Sequence, residues 1–125
     1  RHPAVAASLT NIGSVYQQQL NFPEALARYN QALDIYKALP KEQAADQSAT
    51  LSNIGAVYQG MGQFELALKH YEQALDLDLQ LHGLNHPDVA STYRNLSIVY
   101  GEMGNSRNEA EFAQREFLIK VKIFG

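Results

Sequence analysis

The sequence predicts an all-α protein, a right-handed α-solenoid of three antiparallel helix pairs that forms one domain over residues 1–125. Asn11, Asn53 and Asn95 recur every 42 residues, as do Tyr16, Tyr58 and Tyr100, and Ile12, Ile54 and Leu96. Within each unit the apolar residues fall at helical spacing. Glycine or asparagine marks the breaks between helices. A period of this size means stacked two-helix units, because one such unit cannot bury its apolar face alone. The units are residues 1–42, 43–84 and 85–125, and the last helix is atypical.

The first helix of each unit is expected over residues 4–18, 46–60 and 88–102. Leu9, Ile12 and Tyr16, then Leu51, Ile54 and Tyr58, mark its core face. His2-Pro3 recurs as His86-Pro87 two periods on, which suggests a helix-start role for both histidines. Proline suits the first helical turn, and Asp88 complements the helix dipole. Breaks are expected at Gln19-Leu20-Asn21, Gly60-Met61-Gly62 and Gly104-Asn105. The second helices, residues 22–39 and 64–81, carry Ala25, Tyr29, Ala32, Leu33 and the copy Ala67, Tyr71, Ala74, Leu75. Small residues at such steps allow close helix approach, with the aromatic rings filling the space between layers. Gly83-Leu84-Asn85 closes the second unit. Residues 41–45 have weaker turn chemistry, so that junction is expected to stay largely helical.

Composition narrows the function classes. Hydrophobic residues are 46% and charged residues 18%, which is globular rather than disordered or collagenous composition. No apolar run approaches the roughly 18 residues needed to span a bilayer. Arg1-His2-Pro3-Ala4 does not read as a signal peptide, which points to a cytoplasmic protein with no membrane partner. With no cysteine, disulfide scaffolds, thiolate metal sites and cysteine nucleophiles drop out. The net charge of −3 is spread as +1 over residues 1–42, −4 over 43–84 and zero over 85–125. There is no basic stripe, so no nucleic-acid partner is expected.

The pattern Leu9-Thr-Asn-Ile-Gly-Ser-Val-Tyr16, with Phe22, Ala25, Tyr29 and Ala32, resembles the tetratricopeptide repeat. The long period and the connector Leu81-His-Gly-Leu-Asn-His-Pro-Asp-Val-Ala90 resemble the variant found in kinesin light chains. The third unit departs from the pattern: Phe22 and Phe64 are matched by Ser106, and Ala25 and Ala67 by Glu109, unless a one-residue insertion realigns Ala110. Apolar residues nearly encircle the last helix, residues 108–124, which therefore wants covering on more than one side. Phe112, Phe117, Val121 and Phe124 are candidate contacts with further repeats or with a second copy.

At about 100° per residue, with Gly13 at zero, the core face of the first helix centres near −50° and Asn11, Ser14 and Gln18 point away from it. The outward rows are Ala7, Asn11, Ser14, Gln18; Ala49, Asn53, Ala56, Gly60; and Ser91, Asn95, Ile98, Glu102. In a stack of paired helices these rows line the concave surface. An asparagine amide both donates and accepts, so three of them form a ladder suited to an extended peptide backbone. The resemblance implies the same, because an asparagine at this place contacts bound peptide in that family. The alternative is that these amides bond neighbouring helices and rigidify the stack. Asn11, Ser14, Gln18, Asn53, Ala56, Arg94, Asn95 and Ile98 are thus the candidate peptide-binding residues. The rows supply no lysine, which argues against a carboxylate clamp of the kind some members use. Arg94 can anchor an acidic side chain or stay solvated. Gln17, Gln18 and Gln59 are expected to add polar contacts at the rim.

Catalytic motifs are absent. Gly60-Met61-Gly62-Gln63-Phe64-Glu65 lacks a third glycine and follows a helix rather than a strand. No Walker loop or nucleophile elbow is present. His82 and His86 straddle a glycine-containing loop with only Asp88 nearby, so no metal is expected. Asp76 and Asp78 point to different faces and form no acid/base pair. His70 is expected to be solvated. Tyr16, Tyr58 and Tyr100 fall on the core face and suit packing better than base stacking. The expected role is a non-catalytic scaffold without cofactors that binds a protein or peptide partner on the concave face. The alternative is self-assembly through the apolar last helix.

Overall fold

The computed structural model describes residues 2–39 and 43–125. Six helices follow in order: α1 (Pro3–Gln18), α2 (Phe22–Lys37), α3 (Ala44–Gly60), α4 (Phe64–His82), α5 (Pro87–Glu102) and α6 (Ser106–Phe124). Among the described residues there is no strand. α1 packs on α2, α3 on α4 and α5 on α6, and the layers join through α2 with α3 and α4 with α5. Of the junction expected to be helical at residues 41–45, residues 41 and 42 lie outside the described residues, and α3 begins at Ala44.

The period shows in how the helices start and stop. His2 and His86 are N-caps, each accepting a backbone N–H through Nδ1, from Ala4 at 3.1 Å and from Asp88 at 3.0 Å. Pro3 and Pro87 follow in the first turn, where no amide donor is needed. After α1, α3 and α5 the chain turns through one left-handed residue: Leu20 (φ 60°), Gly62 (φ 76°) and Gly104 (φ 80°). Only the first copy pays for that conformation with a side chain.

The core lies between layers as much as within them. Leu33 of α2 shares one buried cluster with Leu51, Ile54 and Val57 of α3 and Ala74 of α4. Tyr71 of α4 belongs to a second cluster with Val89, Leu96 and Val99 of α5 and Ile119 of α6. This explains a departure at Ile12, which was expected in the core but is 45% exposed. Its counterparts Ile54 and Leu96 are buried at 0% and 1% because the preceding layer's second helix covers them. No layer covers α1 in that way among the described residues.

The third unit needs no insertion. α6 starts 42 residues after α4, Glu109 occupies the place of Ala67, and Ala110 is exposed. The Ser97 hydroxyl donates to the Glu109 carbonyl at 2.8 Å, where the other layers have a glycine under a tyrosine ring. In α6, Ile119 is buried and Ile123 half-buried, while Phe117, Leu118, Val121 and Phe124 are exposed. Phe112 departs from its expected role as an outward contact. Its ring stacks on Tyr100 (5.4 Å between centroids) and Tyr93 (5.9 Å), inside the α5–α6 pair.

Candidate peptide-binding face

The repeated asparagines sit on equivalent turns of α1, α3 and α5. Asn11 is exposed, and Asn53 and Asn95 are half-buried. None of the three takes part in a side-chain hydrogen bond among the described residues; the buried network runs through other groups. Gln18, Arg94 and Ile98 are exposed beside them, and Ala56 is half-buried. Ser14 is half-buried next to Tyr29. Burial raises the Tyr29 phenol above its ordinary value, and Ser14 acts against that shift.

The neighbouring glutamines are committed elsewhere. The Tyr29 hydroxyl donates to Gln17 Oε1 at 2.7 Å, and the Tyr71 hydroxyl to Gln59 Oε1 at 2.9 Å, the same pairing one period apart. Gln59 Nε2 in turn donates to Glu102 of α5 at 2.5 Å. Gln17 and Gln59 therefore hold phenols in place and are not the free rim contacts the sequence suggested. Burial, with the Glu102 charge nearby, pushes the Tyr71 phenol up to about 12. Tyr16 and Tyr58 pack against the core clusters, and Tyr100 lies on Phe112. His70 was expected to be solvated, but it is half-buried, with Nδ1 2.8 Å from the Leu66 carbonyl and its ring against Tyr58.

Sequence reasoning missed Asp78. It extends the buried α4 stripe Ala67, Tyr71, Ala74 by four more residues and is only 5% exposed. Its carboxylate accepts the Ser48 hydroxyl at 2.5 Å and the Thr92 hydroxyl at 3.0 Å, joining α3, α4 and α5. Burial raises its carboxyl above the usual range; both hydroxyls act the other way. The spacing of four, three and four continues that stripe in the sequence, but an acidic residue at its end carries no sign of the hydroxyls that meet it. Asp78 floors an open pocket of about 220 Å³ between α3 and α5, with Ser91 and Asn95 on its wall and Asp88 at its rim.

The structure also brings His82, His86 and Asp88 together, their donor atoms within 4.8 Å of one another. The two rings stack at 3.7 Å, and His82 Nε2 lies 3.4 Å from Asp88 Oδ2. His86 Nδ1 spends its lone pair on the Asp88 N–H, so a metal at that nitrogen would have to displace the α5 cap.

The tetratricopeptide repeat family profile matches residues 1–38 and 46–116. The chain belongs to the tetratricopeptide repeat family. Its fold is similar to BtubC (BKLC) from P. vanneervenii, with 28% identity and a TM-score of 0.88 over 97% of this chain and 48% of that one. It is also similar to the nearly identical TPR-like repeats of a kinesin light chain-like protein from Podosopora anserina: 23% identity, TM-score 0.81, 100% of this chain and 59% of that one. The TPR domain of Arabidopsis FLU superposes with a TM-score of 0.81 at 15% identity, covering 92% of this chain and 93% of that domain. The chain thus spans about half the length of the BtubC chain it matches. No curated protein matches its sequence. Tetratricopeptide repeats generally serve as protein–protein interaction scaffolds, and this chain has their right-handed solenoid of antiparallel helix pairs. No helix among the described residues is long and apolar enough to cross a membrane.

Proposed function

We infer that this chain is a non-catalytic scaffold that binds an extended segment, or a helix, of a partner protein along the concave face lined by α1, α3 and α5. One observation carries it: three asparagine amides at one period, one exposed and two half-buried, lie on successive first helices and make no side-chain hydrogen bond among the described residues. A helix-interior asparagine is otherwise a poor choice. Each amide can donate to a peptide carbonyl and accept from a peptide N–H, which gives affinity with little demand on side-chain sequence. Ser14, Gln18, Ala56, Arg94 and Ile98 supply the surrounding contacts, and Arg94 suits one acidic side chain. The test is an unbiased peptide-library selection, with Asn53→Ala/Asn95→Ala as the control protein. Selected peptides should bind the double variant at least tenfold more weakly while its melting temperature stays within a degree or two. A melted variant, or undiminished affinity, would assign the amides to the stack instead. The cytoplasmic setting belongs to the same proposal and is checked by cell fractionation.

A second reading, end-to-end assembly of two copies, has its own observation. Val5, Ile12 and Val15 of α1 are exposed, whereas their counterparts in α5, Val89, Leu96 and Val99, are buried by α4. Phe117 and Val121 on the exposed face of α6 lie one period after Leu75 and Leu79, which α4 packs against the cluster that holds α5, and Phe124 extends that face. A second copy's α1 on this α6 would continue the established interface. Sedimentation across a concentration series separates the two: a strict monomer at all concentrations sinks the assembly reading.

A further inference from the structure

Resting on the peptide-binding reading above, we propose that the pocket floored by Asp78 is a cation subsite of that face, into which the bound segment inserts a lysine or arginine side chain. The pocket opens between α3 and α5, and Ser91 and Asn95 form part of its wall. A peptide lying on the Asn53 and Asn95 amides therefore passes over its mouth. Its volume of about 220 Å³ admits one long side chain and excludes a folded element.

The chemistry of the wall selects the ligand. Asp78 lies at the bottom and Asp88 at the rim, and among the described residues no lysine or arginine lines the pocket. The remaining wall is hydroxyl, amide and methyl groups from Ser48, Ser91, Thr92, Asn95 and alanines. Taking a carboxylate out of water without a cationic partner is costly, and neutral hydroxyl donors offset only part of that. Ser48 and Thr92 each occupy one lone pair, on Oδ1 and Oδ2 respectively, which leaves a site on each oxygen. Two parallel N–H donors from a guanidinium, or one ammonium, fit those sites and restore the missing charge. The unit that contributes the floor, residues 43–84, carries a charge of −4 and favours approach of a basic segment. His82 and His86 lie outside the wall, stacked on each other beside Asp88. Burial raises the Asp78 carboxyl, and a docked cation acts against that shift.

The experiment titrates the whole chain with N-acetyl-arginine amide, and with its citrulline counterpart, while recording backbone amide NMR spectra. The expected result is saturable movement of the Ser48, Ser91 and Asn95 resonances with arginine, and at least fivefold weaker binding of citrulline. Asp78→Asn should remove that preference. Equal response to the two probes, or an arginine preference retained in Asp78→Asn, would overturn the subsite. Should Asp78→Asn fail to fold, the exposed rim variant Asp88→Asn decides, because an unchanged arginine affinity there overturns the proposal. Peptides from the library selection separate this idea from the one it rests on. Peptides that need Asn53 and Asn95 but show no basic preference remove the subsite alone. Arginine amide binding with no selected peptide dependent on those asparagines removes the groove reading alone.

Discussion

A carbon added to Gly55 would sit 3.0 Å from the ring of Tyr71, so α3 and α4 approach to the limit that glycine allows. One layer earlier Gly13 lies under Tyr29 more tightly, at 2.8 Å from the ring. Both rings are almost fully buried and tethered through their hydroxyls to Gln59 and Gln17, so neither swings away freely. Gly55→Leu should lose about 1–3 kcal/mol or more through overpacking. Gly13→Ala should cost more than Gly55→Ala. Urea denaturation of the three variants checks the order, and a neutral Gly55→Leu would contradict the packing.

Leu20 adopts the left-handed conformation that Gly62 and Gly104 take at the equivalent turns. It is 73% exposed, so little burial is lost by removing its side chain. Leu20→Gly should therefore stabilise the protein by about 1 kcal/mol, the size of the left-handed penalty for a side chain. Thermal melting would show it as a rise of several degrees. Gly62→Ala and Gly104→Ala should lower the melting temperature.

Asp78 gives a pH-dependent prediction. Burial raises its carboxyl above the ordinary value of 3.8, so folding favours its protonated form. That contribution to stability is fully present below 3.8 and is lost as pH rises through the folded-state value. At neutral pH, Asp78→Asn removes the cost of a buried charge. The hydroxyl that faces the new NH2 can then turn to its own carbonyl, Ala74 for Ser48 at 3.1 Å or Asp88 for Thr92 at 3.2 Å, and accept from the amide, while the other hydroxyl still donates to the amide oxygen. The variant should equal or exceed the parent in stability at pH 7, with the difference shrinking toward pH 3. Denaturation at the two pH values checks the sign.

His86 caps α5 through Nδ1. His86→Ala should cost about 1 kcal/mol, the usual value of a lost N-cap, and His86→Asn should recover most of it. If Asn fails to rescue, the stacked ring of His82 rather than the cap carries the contribution of His86. Chemical denaturation of the pair resolves this.

Phe117 and Phe124 are exposed on α6 and contribute little to the packed layers. Phe117→Ser/Phe124→Ser should leave the unfolding midpoint of dilute protein almost unchanged. If two copies stack end to end, the same change should abolish the concentration dependence of sedimentation.

Sequence alone determined the architecture, because a 42-residue period of apolar residues at helical spacing, with break residues recurring between the helices, points to stacked helix pairs. It also placed the three asparagines on one face, since angle around a helix follows from residue number. Which side chains remain free was decided by tertiary contact. Gln17 and Gln59 carry the same polar signature as Gln18, yet phenols from the partner helix claim them. Asp78 reads as one more surface acid until two helices bring Ser48 and Thr92 to it. Ile12 matches Ile54 in sequence and differs in burial, because burial in a stack depends on the neighbouring layer. Local periodicity sets direction from the helix axis, but only the packed layers set what lies in that direction.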